Sequence, residues 1–295
     1  MVIFYFIHFK GHNVSPKKTK RTIHRKGGMM HLNQENSIWP EPSFDENDQP
    51  HFLFIITPPY SGSTALAELL NTSHRTMILH PKAEGQFLIP GLHKHERWNP
   101  HKEINYQSIK ASWLNQFQFV KRLTQNIDVV IEKSPPNMII IEKLITLFRE
   151  YSFLANNRNP YANCASLLYR KYDADNISSS DRLDALSFLA RGWIKRSTIV
   201  KNLVQKYNMP LMTYENFCQN PSSIISLLNL PDGVAETINP SAKVKVKDYK
   251  KQTIQNQNER QIANLKPDDI ACISQILHPY SELLAFFGYQ TIASV

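Results

Sequence analysis

Residues 57–66, TPPYSGSTAL, combine small and hydroxyl side chains in a turn between two apolar patterns. The run HFLFII precedes the turn as a strand would, and ALAELLN follows it with the spacing of a helix. In such a turn, successive backbone N–H groups and the start of a helix can bind an anion. Gly62 permits a backbone conformation that a side chain would block, and the neighbouring hydroxyl groups can donate hydrogen bonds. The turn therefore predicts an anion-binding loop, with a serine-capped helix as the simpler alternative.

The same loop lacks the features of a nucleoside triphosphate site. The GxxxxGK[ST] pattern of such sites places a lysine on the phosphates. Here that lysine and the first glycine are both missing, and Tyr60 lies in the turn. This difference argues against hydrolysis of ATP or GTP with magnesium. We expect instead an anion of lower charge, with the positive charge supplied by another part of the chain.

A second anion site is predicted after another apolar run. Residues 154–166 read LANNRNPYANCAS, and Arg158 ends the strand-like part of this stretch. Asn159 is a favourable N-cap, and Pro160 suits the first position of a helix, where its missing N–H is not needed. Ser166 follows about two turns into that helix. An arginine, a helix start and a helix hydroxyl group together predict a site for a second anion.

Short apolar runs alternate with amphipathic runs from His51 onward, and this alternation predicts the elements that position both sites. Candidate strands cover residues 52–57, 76–80, 128–132, 151–156 and 210–214. Candidate helices cover residues 65–71, 106–125, 138–149, 160–171 and 181–206, and a last helix opens at Pro267 and bends at His278-Pro279. The pattern predicts an α/β fold of the P-loop-like, three-layer α/β/α type, with a mostly parallel sheet of about five strands. Ligands of such sheets bind at the carboxyl ends of the strands, where both anion sites are placed.

Four stretches resemble motifs of the sulfotransferases and follow one another along the chain. TPPYSGSTAL resembles their 5′-phosphosulfate loop, and Arg158-x-Pro160 with Ser166 resembles their 3′-phosphate motif. Residues 210–221, PLMTYENFCQNP, resemble a third recurrent stretch, and residues 132–137, EKSPPN, resemble a segment of the carbohydrate and tyrosylprotein branches. The resemblance implies the donor 3′-phosphoadenosine 5′-phosphosulfate (PAPS) and no metal ion. The two phosphate ends of PAPS match the two predicted anion sites.

The resemblance also implies roles for individual residues. The family usually has Lys or Arg at the position of Tyr60, and Lys133 is the candidate to supply that charge, against the simpler alternative of a solvated surface lysine. Glu84, shortly before a Leu-Ile-Pro turn, is the candidate general base, and His80 is its rival. The residues assigned to PAPS binding are Tyr60, Ser61, Gly62, Ser63, Thr64, Arg158, Ser166 and Tyr214, and those assigned to catalysis are Glu84 and Lys133.

Metal sites and disulfides are not expected from the sequence. His93, His95 and Glu96 form the pattern H-x-H-E, which differs from HExxH and has no second pair of ligands to complete a site. The cysteines are isolated and form no CxxC pair; they are Cys164, Cys218 and Cys272. This usage favours a reducing compartment.

Two further features could contribute to donor binding. Lys243, Lys245 and Lys247 alternate along an extended segment that, like Arg260, could close over the 3′-phosphate, with a solvated basic loop as the alternative. Trp193 could stack on adenine, with a core tryptophan as the favoured alternative. Tyr214 is a similar case, for which a core position is an equal alternative.

The length and charge of the chain indicate how many domains it has and which partners it does not bind. The chain has 295 residues, of which 42% are hydrophobic, and this size suits one large domain over 49–295 after a tail over 1–48. The net charge is +9, but most of it comes from basic residues in the tail, namely Lys10, Lys17, Lys18, Lys20, Arg21, Arg25 and Lys26. The nearly balanced remainder argues against a nucleic-acid partner. MVIFYFIHF is too short to span a membrane, so we expect no transmembrane segment and a cytoplasmic protein.

Together these features predict an enzyme that moves a sulfuryl group from PAPS to a hydroxyl group. The acceptor would be a small molecule or, as EKSPPN favours, a carbohydrate. Two alternatives remain open at this point. One is a small-molecule kinase, which would need ATP and magnesium, and the other is a non-catalytic nucleotide-binding module of the same fold in which Tyr60 replaces the cation.

Overall fold

The structure is a computed structural model that describes residues 48–99, 101–124, 126–246 and 250–293. The predicted tail, except for residue 48, lies outside the described residues, as does Lys247.

Five parallel strands form the central sheet of the described residues, in the order β2-β3-β1-β4-β5. The strands are β1 (His51–Ile56), β2 (Thr76–Ile78), β3 (Val129–Glu132), β4 (Tyr151–Asn157) and β5 (Leu211–Thr213). Strand β1 lies at the centre, with Phe52 in register with Val130 of β3 and with Tyr151 of β4. The predicted parallel α/β sheet is therefore confirmed, because each candidate strand of the sequence corresponds to one of these strands.

Helices cover both faces of the sheet. They are α1 (Ser63–Leu70), α2 (Tyr106–Thr124), α3 (Ile141–Leu144), α4 (Pro160–Lys171), α5 (Ser179–Tyr207), α6 (Tyr214–Gln219), α7 (Ser223–Leu227), α8 (Asn258–Ile262), α9 (Pro267–Leu277) and α10 (Ser281–Phe286). Alternate residues of β1 enter two separate cores, because successive side chains of a strand point to opposite faces. Phe52 and Phe54 pack with α2, α4 and α5, whereas Leu53 and Ile55 pack with α1, α6 and α7. Both faces of the central strand are buried, which explains its continuous apolar sequence.

Helix α4 begins where the sequence predicts. The side chain of Asn159 accepts hydrogen bonds from the backbone N–H groups of Tyr161 and Ala162, at 3.0 and 3.2 Å. Pro160 occupies the first helical position, where no intrahelical N–H bond is lost. These two residues turn the chain at the carboxyl end of β4 and so fix the position of Arg158 at that edge.

The helix predicted over 138–149 is wrong in extent. The chain forms a 3₁₀ turn over Pro135–Ile139 and then only the short helix α3. The side chain of Asn137 donates to Glu132 at 2.9 Å, which holds the turn close to β3. Beyond α3 the chain turns again, and the ring of Phe148 packs 4.0 Å from that of Phe52, measured between ring centres. Apolar residues such as Phe148, which suggest a longer helix, are thus buried although they lie in an irregular segment.

Candidate active site

The predicted anion loop leaves donors at the start of α1. Gly62 is the N-cap of this helix with φ 79°, and no side chain within the described residues caps it. The carbonyl of Gly62 accepts from the N–H groups of Ala65 and Leu66, at 3.0 and 3.4 Å. The N–H groups of the two residues between, Ser63 and Thr64, have no intrahelical partner because they lie in the first turn. The alternative of a serine-capped helix is therefore wrong, and the helix start can accept an anion.

Tyr60 and Ser61 have unusual environments for a loop. Tyr60 adopts φ 64°, a left-handed conformation that is uncommon outside glycine and that turns the backbone toward the second site. Its carbonyl oxygen accepts from Arg158 Nη1 at 3.3 Å. Ser61 is fully buried, and its hydroxyl oxygen has no hydrogen-bond partner among the described residues. Backbone strain and an unsatisfied buried hydroxyl both occur at ligand sites, where a bound group compensates for them.

Arg158 is a buried cation of the second predicted site, and its Nη1 contacts the loop of the first site. Only 4% of its surface is exposed, and burial lowers the pKa of its guanidinium. Its Nε donates to Asn258 Oδ1 at 2.9 Å, whereas Nη2 is buried and has no partner in the described part of the chain. Leaving a buried charged donor unsatisfied is costly unless a ligand accepts from it. An anion at this position would supply the missing acceptor.

Tyr214 contacts one residue of each predicted site, Arg158 and Gly62. Its ring lies under the guanidinium of Arg158, 4.1 Å from the ring centre, and a Cβ at Gly62 would come within 2.2 Å of the same ring. The Tyr214 hydroxyl donates to the carbonyl of Gln255 at 3.0 Å and accepts from the N–H of Gln257 at 3.1 Å. Burial raises the pKa of Tyr214 to about 12, so the hydroxyl keeps its proton at neutral pH. The ring is 6% exposed and packs on Arg158 and the loop, so it positions the residues of the site.

The carboxylate of Glu215 completes the support of Arg158. It accepts from Asn258 Nδ2 at 2.5 Å and from the N–H of Asn159 at 3.0 Å, and its second oxygen accepts from the Tyr289 hydroxyl at 2.8 Å. Glu215 therefore ties the start of α4, the start of α8 and the end of the described chain together. The sequence predicts no role for Glu215, although this residue follows Tyr214 directly in the stretch that resembles the third sulfotransferase motif.

Lys133, Thr64 and Glu84 come together at the same edge of the sheet. Lys133 follows β3 directly, is 2% exposed, and has its Nζ 3.3 Å from the hydroxyl oxygen of Thr64 and 3.5 Å from Glu84 Oε1. A solvated surface lysine would be exposed, so that alternative is wrong. The structure therefore brings both predicted catalytic residues together beside the anion loop.

Arg97 is a site residue that the sequence does not predict. Its Nη2 donates to Glu84 Oε2 at 2.6 Å, and its Nε donates to Gln86 Oε1 at 2.9 Å. The guanidinium also lies over the ring of Phe87, 4.3 Å from its centre, and Arg97 is 6% exposed. One carboxylate oxygen of Glu84 is thus occupied by Arg97, whereas the other faces Lys133. No sequence signal marked this pair, because it joins two irregular segments.

Glu132 fixes the segment that carries Glu84. It is fully buried at the end of β3 and accepts from the N–H groups of Gly85 and Ser134, at 2.7 and 2.9 Å. Burial raises the pKa of Glu132, and these hydrogen bonds oppose the shift. A Cβ at Gly85 would lie 2.5 Å from Glu132 Oε2 and 2.9 Å from Trp113 Nε1, so only glycine fits this close approach.

Other predicted residues lie apart from this arrangement. Ser166 is half-buried in α4, and no hydrogen bond joins it to Arg158 within the described residues. His80 contacts the ring of Phe87 at 5.2 Å between ring centres, and burial lowers its pKa. Trp193 is fully buried and donates to the carbonyl of Arg158 at 2.9 Å, so its ring is not free to stack on adenine and the core alternative is confirmed.

The basic segment near residue 245 packs on the same core as α1, because Val244 and Leu66 belong to one buried cluster. Val244 and Gln252 form an antiparallel bridge, and the positive charges of Lys133, Lys251 and Lys245 oppose the rise that burial causes in the pKa of Glu68 on α1. The described lysines of this segment therefore add positive potential near Glu68 of α1.

Glu96, part of the H-x-H-E pattern, bonds to residues close to it in sequence. Glu96 accepts from the N–H of His93 at 3.1 Å and pairs with Lys102 at 2.7 Å. Across the described ranges, no group of three or more His, Cys, Asp or Glu residues is arranged to hold a metal ion. No helix in those ranges is both long enough and apolar enough to cross a membrane.

Comparisons with known proteins find similar solved structures but no matching family model or curated protein. No family model matches the chain, and no curated protein matches it. The sulfotransferase domain from the Synechococcus PCC 7002 olefin synthase is 17% identical, with 80% of this chain and 97% of that chain covered and a TM-score of 0.48. The sulfotransferase domain from the curacin biosynthetic pathway is 17% identical, with 83% and 99% covered and a TM-score of 0.48. A sulfotransferase from Alicyclobacillus acidocaldarius is 16% identical, with 82% and 97% covered and a TM-score of 0.47.

Proposed function

We propose that this chain is a PAPS-dependent sulfotransferase that transfers a sulfuryl group to a hydroxyl group, with carbohydrate as the favoured acceptor. The observation that carries the proposal is a pair of buried donors without partners among the described residues. They are Arg158 Nη2 and Ser61 Oγ, and they lie in segments joined by the hydrogen bond from Arg158 to the carbonyl of Tyr60. Two adjacent anion sites suit a nucleotide with phosphate groups at two positions.

In this proposal the loop over 60–64 and the start of α1 bind the 5′-phosphosulfate. Arg158 binds the 3′-phosphate, and the positioning contacts of Tyr214 and Glu215 set its orientation. Ser166 lies half-buried further along α4 and is a second candidate for that phosphate. Donors that are held in place before the ligand arrives need little reorganisation at the moment of reaction.

Glu84 is the proposed general base. It would take the proton from the acceptor hydroxyl through Oε1, because Oε2 is bonded to Arg97. The acceptor oxygen then forms a bond to sulfur while the bond from sulfur to the 5′-phosphate oxygen breaks. The electron pair of the broken bond stays on that phosphate oxygen, and the products are a sulfate ester and adenosine 3′,5′-bisphosphate.

Lys133 is the proposed source of positive charge for the leaving oxygen. Its Nζ contacts Thr64 on α1 and Glu84, so it can donate to a group held by the loop. This lysine would supply the charge that most sulfotransferases place at the position of Tyr60. Because Lys133 and Arg158 provide the cations, the proposed reaction involves no metal ion.

Tyr60 favours a second candidate function, a binding module that holds the nucleotide without transferring sulfate. The tyrosine at this position cannot supply a positive charge. Its backbone is left-handed, and its carbonyl oxygen accepts a hydrogen bond from Arg158. Such a module would need the two anion sites but not the pair of Glu84 with Lys133. The two functions therefore predict the same ligand and different chemistry.

Two experiments in sequence test the proposal. Adenosine 3′,5′-bisphosphate should raise the melting temperature, because a ligand at about 100 times its Kd stabilises the folded state by about 2.7 kcal/mol. ATP with magnesium should not raise it. Transfer of ³⁵S-sulfate from PAPS to a panel of hydroxyl acceptors then separates the enzyme from the binding module. Stabilisation by ATP with magnesium alone would contradict both functions and favour a kinase.

A further inference from the structure

Two buried amide side chains lie behind the proposed general base, and the proposed mechanism does not use them. Gln86 belongs to the 3₁₀ turn Gly85–Leu88, which follows Glu84 directly, and Asn137 belongs to the 3₁₀ turn Pro135–Ile139 after β3. Each of these amide residues is 1% exposed, and Gln86 Nε2 donates to Asn137 Oδ1 at 2.6 Å. An amide is costly to bury unless its oxygen and its nitrogen both have partners. The partner at the other end of each amide therefore indicates what the pair does.

The two amides are the middle of a continuous chain of hydrogen bonds between two carboxylates. At one end, Asn137 Nδ2 donates to Glu132 Oε1 at 2.9 Å. At the other end, Gln86 Oε1 accepts from Arg97 Nε at 2.9 Å, and Arg97 Nη2 donates to Glu84 Oε2 at 2.6 Å. We refer to Glu132, Asn137, Gln86 and Arg97 as the buried chain. Its members are at most 6% exposed, whereas the side chain of Glu84 is 21% exposed, so the buried chain leads from the end of β3 to a carboxylate at the surface.

The chemistry of the buried chain permits only one orientation of each amide. A guanidinium group can only donate, so Gln86 has to turn its oxygen to Arg97 and its NH₂ group to Asn137. Asn137 therefore turns its oxygen to Gln86 and its own NH₂ group to Glu132. Both amides are fixed in this way, and the order of donors and acceptors continues without interruption from Arg97 to the end of β3.

The buried chain fixes the direction in which Arg97 donates to the proposed base. Arg97 Nε is bonded to Gln86, and the face of the guanidinium lies over the ring of Phe87, 4.3 Å from the ring centre. A planar group held at one edge and on one face cannot turn freely, so Nη2 keeps its direction toward Glu84 Oε2. The other oxygen of Glu84, Oε1, is then the one that faces Lys133, at 3.5 Å. The buried chain thus decides which oxygen of Glu84 is left for an acceptor.

Holding the loop in place does not by itself require the side chains of the buried chain. The N–H of Gly85 donates to Glu132 Oε2 at 2.7 Å, and the N–H of Gln86 donates to Ser134 Oγ at 3.2 Å. These backbone donors already tie the loop to the end of β3. What the two amides add is an acceptor for Arg97 Nε, which the backbone contacts do not supply.

We propose that Gln86 and Asn137 are positioning residues that orient the Glu84 carboxylate through Arg97. Their effect on catalysis rests on the proposed function, because it takes Glu84 as the general base, whereas the fixed orientation of Arg97 does not. A displacement of about 1 Å in a reacting group can cost about 10²-fold in rate. Both amides are too deeply buried to touch PAPS or an acceptor, so their loss should lower kcat and leave donor affinity nearly unchanged.

Transfer kinetics of the full chain with variants of Gln86 test this proposal. Gln86→Met keeps the length of the side chain but gives Arg97 Nε no oxygen, so kcat should fall about tenfold while the Kd of adenosine 3′,5′-bisphosphate changes less than about twofold. Gln86→Glu restores an oxygen for Arg97 and should recover part of the rate. A packing role would give the opposite order, since methionine fills a buried space better than a carboxylate does. Gln205→Met, at an exposed position of α5, is the matched control and should change neither quantity.

A double variant separates an effect through Arg97 from an independent effect of Gln86. If Gln86 acts through Arg97, kcat of Gln86→Met/Arg97→Gln should be no lower than that of Arg97→Gln alone. Independent effects would instead multiply to a loss of about a hundredfold, and that result would overturn the proposal. Asn137→Leu removes the next link of the buried chain and should lower kcat in the same direction as Gln86→Met.

Hydrogen exchange at Arg97 Nε provides a measurement that needs no activity. The N–H signal in ¹⁵N-arginine NMR spectra is identified by its loss in Arg97→Gln. Its exchange should be at least about tenfold faster in Gln86→Met, the scale of one hydrogen bond to a charged group, and close to wild type in Gln86→Glu and Gln205→Met. A thermal melt confirms that each variant is folded at the temperature of the measurement.

The outcomes separate the positioning role from the proposed function. Unchanged exchange at Arg97 Nε in Gln86→Met would overturn the fixed orientation of Arg97, whatever the transfer assay gives. Faster exchange in that variant, together with no transfer by the wild type, would support the fixed orientation and contradict the proposed function alone. Full kcat in Gln86→Met, or an equal loss of kcat in Gln86→Met and Gln86→Glu, would overturn the effect on catalysis.

Discussion

The guanidinium of Arg158 lies 4.1 Å from the centre of the Tyr214 ring, and the edge of that ring lies against Gly62. One tyrosine therefore sets the distance between an arginine at the end of β4 and the loop at the end of β1. Neither contact is local in sequence. Both depend on strands β1, β4 and β5 ending at the same edge of the parallel sheet.

Gly62→Ala tests whether this packing is required. Alanine at φ 79° is strained, and its Cβ would overlap the Tyr214 ring, so we expect a loss of about 1–3 kcal/mol in the free energy of unfolding and weaker binding of adenosine 3′,5′-bisphosphate. Urea unfolding and calorimetry measure the two effects. Gly91→Ala is the matched control, because Gly91 has φ 72° and nothing within 4 Å of an added Cβ. Equal effects of the two substitutions would mean that the Tyr214 contact has no importance.

Glu84→Gln tests the assignment of the general base. The amide cannot take a proton from the acceptor, so kcat should fall by about 10²–10⁴-fold while the Kd of adenosine 3′,5′-bisphosphate stays nearly unchanged. A transfer assay with the acceptor found in the screen gives kcat, and calorimetry gives Kd. Full activity of this variant would exclude Glu84 and leave His80 as the rival.

Arg97→Gln tests whether Arg97 positions Glu84. The 2.6 Å contact with Oε2 is lost, so the carboxylate can rotate and kcat should fall about tenfold with little change in donor affinity. Arg97→Lys keeps the charge and should recover part of the rate, whereas a merely structural role would show itself as a lower melting temperature in both variants. Unchanged kcat in Arg97→Gln would show that the ion pair does not matter for the reaction.

Glu132 should make stability depend on pH in a definite direction. Burial raises its pKa in the folded protein above the ordinary value of 4.5, so the folded state binds the proton more tightly than the unfolded state. The contribution of Glu132 to stability is therefore complete below pH 4.5 and declines as the pH rises through its folded-state pKa, by at most about 1.4 kcal/mol per pH unit. In Glu132→Gln this part of the dependence should be missing. Unfolding curves from pH 4 to 8 that run parallel for both proteins would contradict the assignment.

The sequence predicts the sheet well because its strands are buried on both faces. A strand such as β1 has to be apolar at every position, and it is bounded by turn residues that end the run. Helix α4 is predicted with its observed start because Asn159 and Pro160 act locally, within one turn of that start. The helix predicted over 138–149 is wrong in extent because contacts between residues distant in sequence override the local pattern. There Asn137 and Phe148 make contacts with β3 and β1 that the local pattern does not contain.

The candidate site can be predicted only where a functional residue directly follows a predicted strand. Arg158 and Lys133 directly follow strands, so the fold rule for parallel sheets places them at the ligand edge. Arg97 could not be predicted, because its pairing with Glu84 depends on the path of two irregular segments. Glu132 was visible in EKSPPN, but its function as an acceptor for Gly85 requires the three-dimensional approach of that loop.

The central claim is that Arg158 and the loop over 60–64 bind opposite ends of one nucleotide, and calorimetry with two ligands tests it most directly. Wild-type protein should bind adenosine 3′,5′-bisphosphate more tightly than adenosine 5′-phosphate. Arg158→Ala should weaken binding of the first ligand by about 1.5–3 kcal/mol and leave binding of the second nearly unchanged. Equal affinity of the wild type for both nucleotides, or an unchanged affinity of Arg158→Ala for the bisphosphate, would contradict the account.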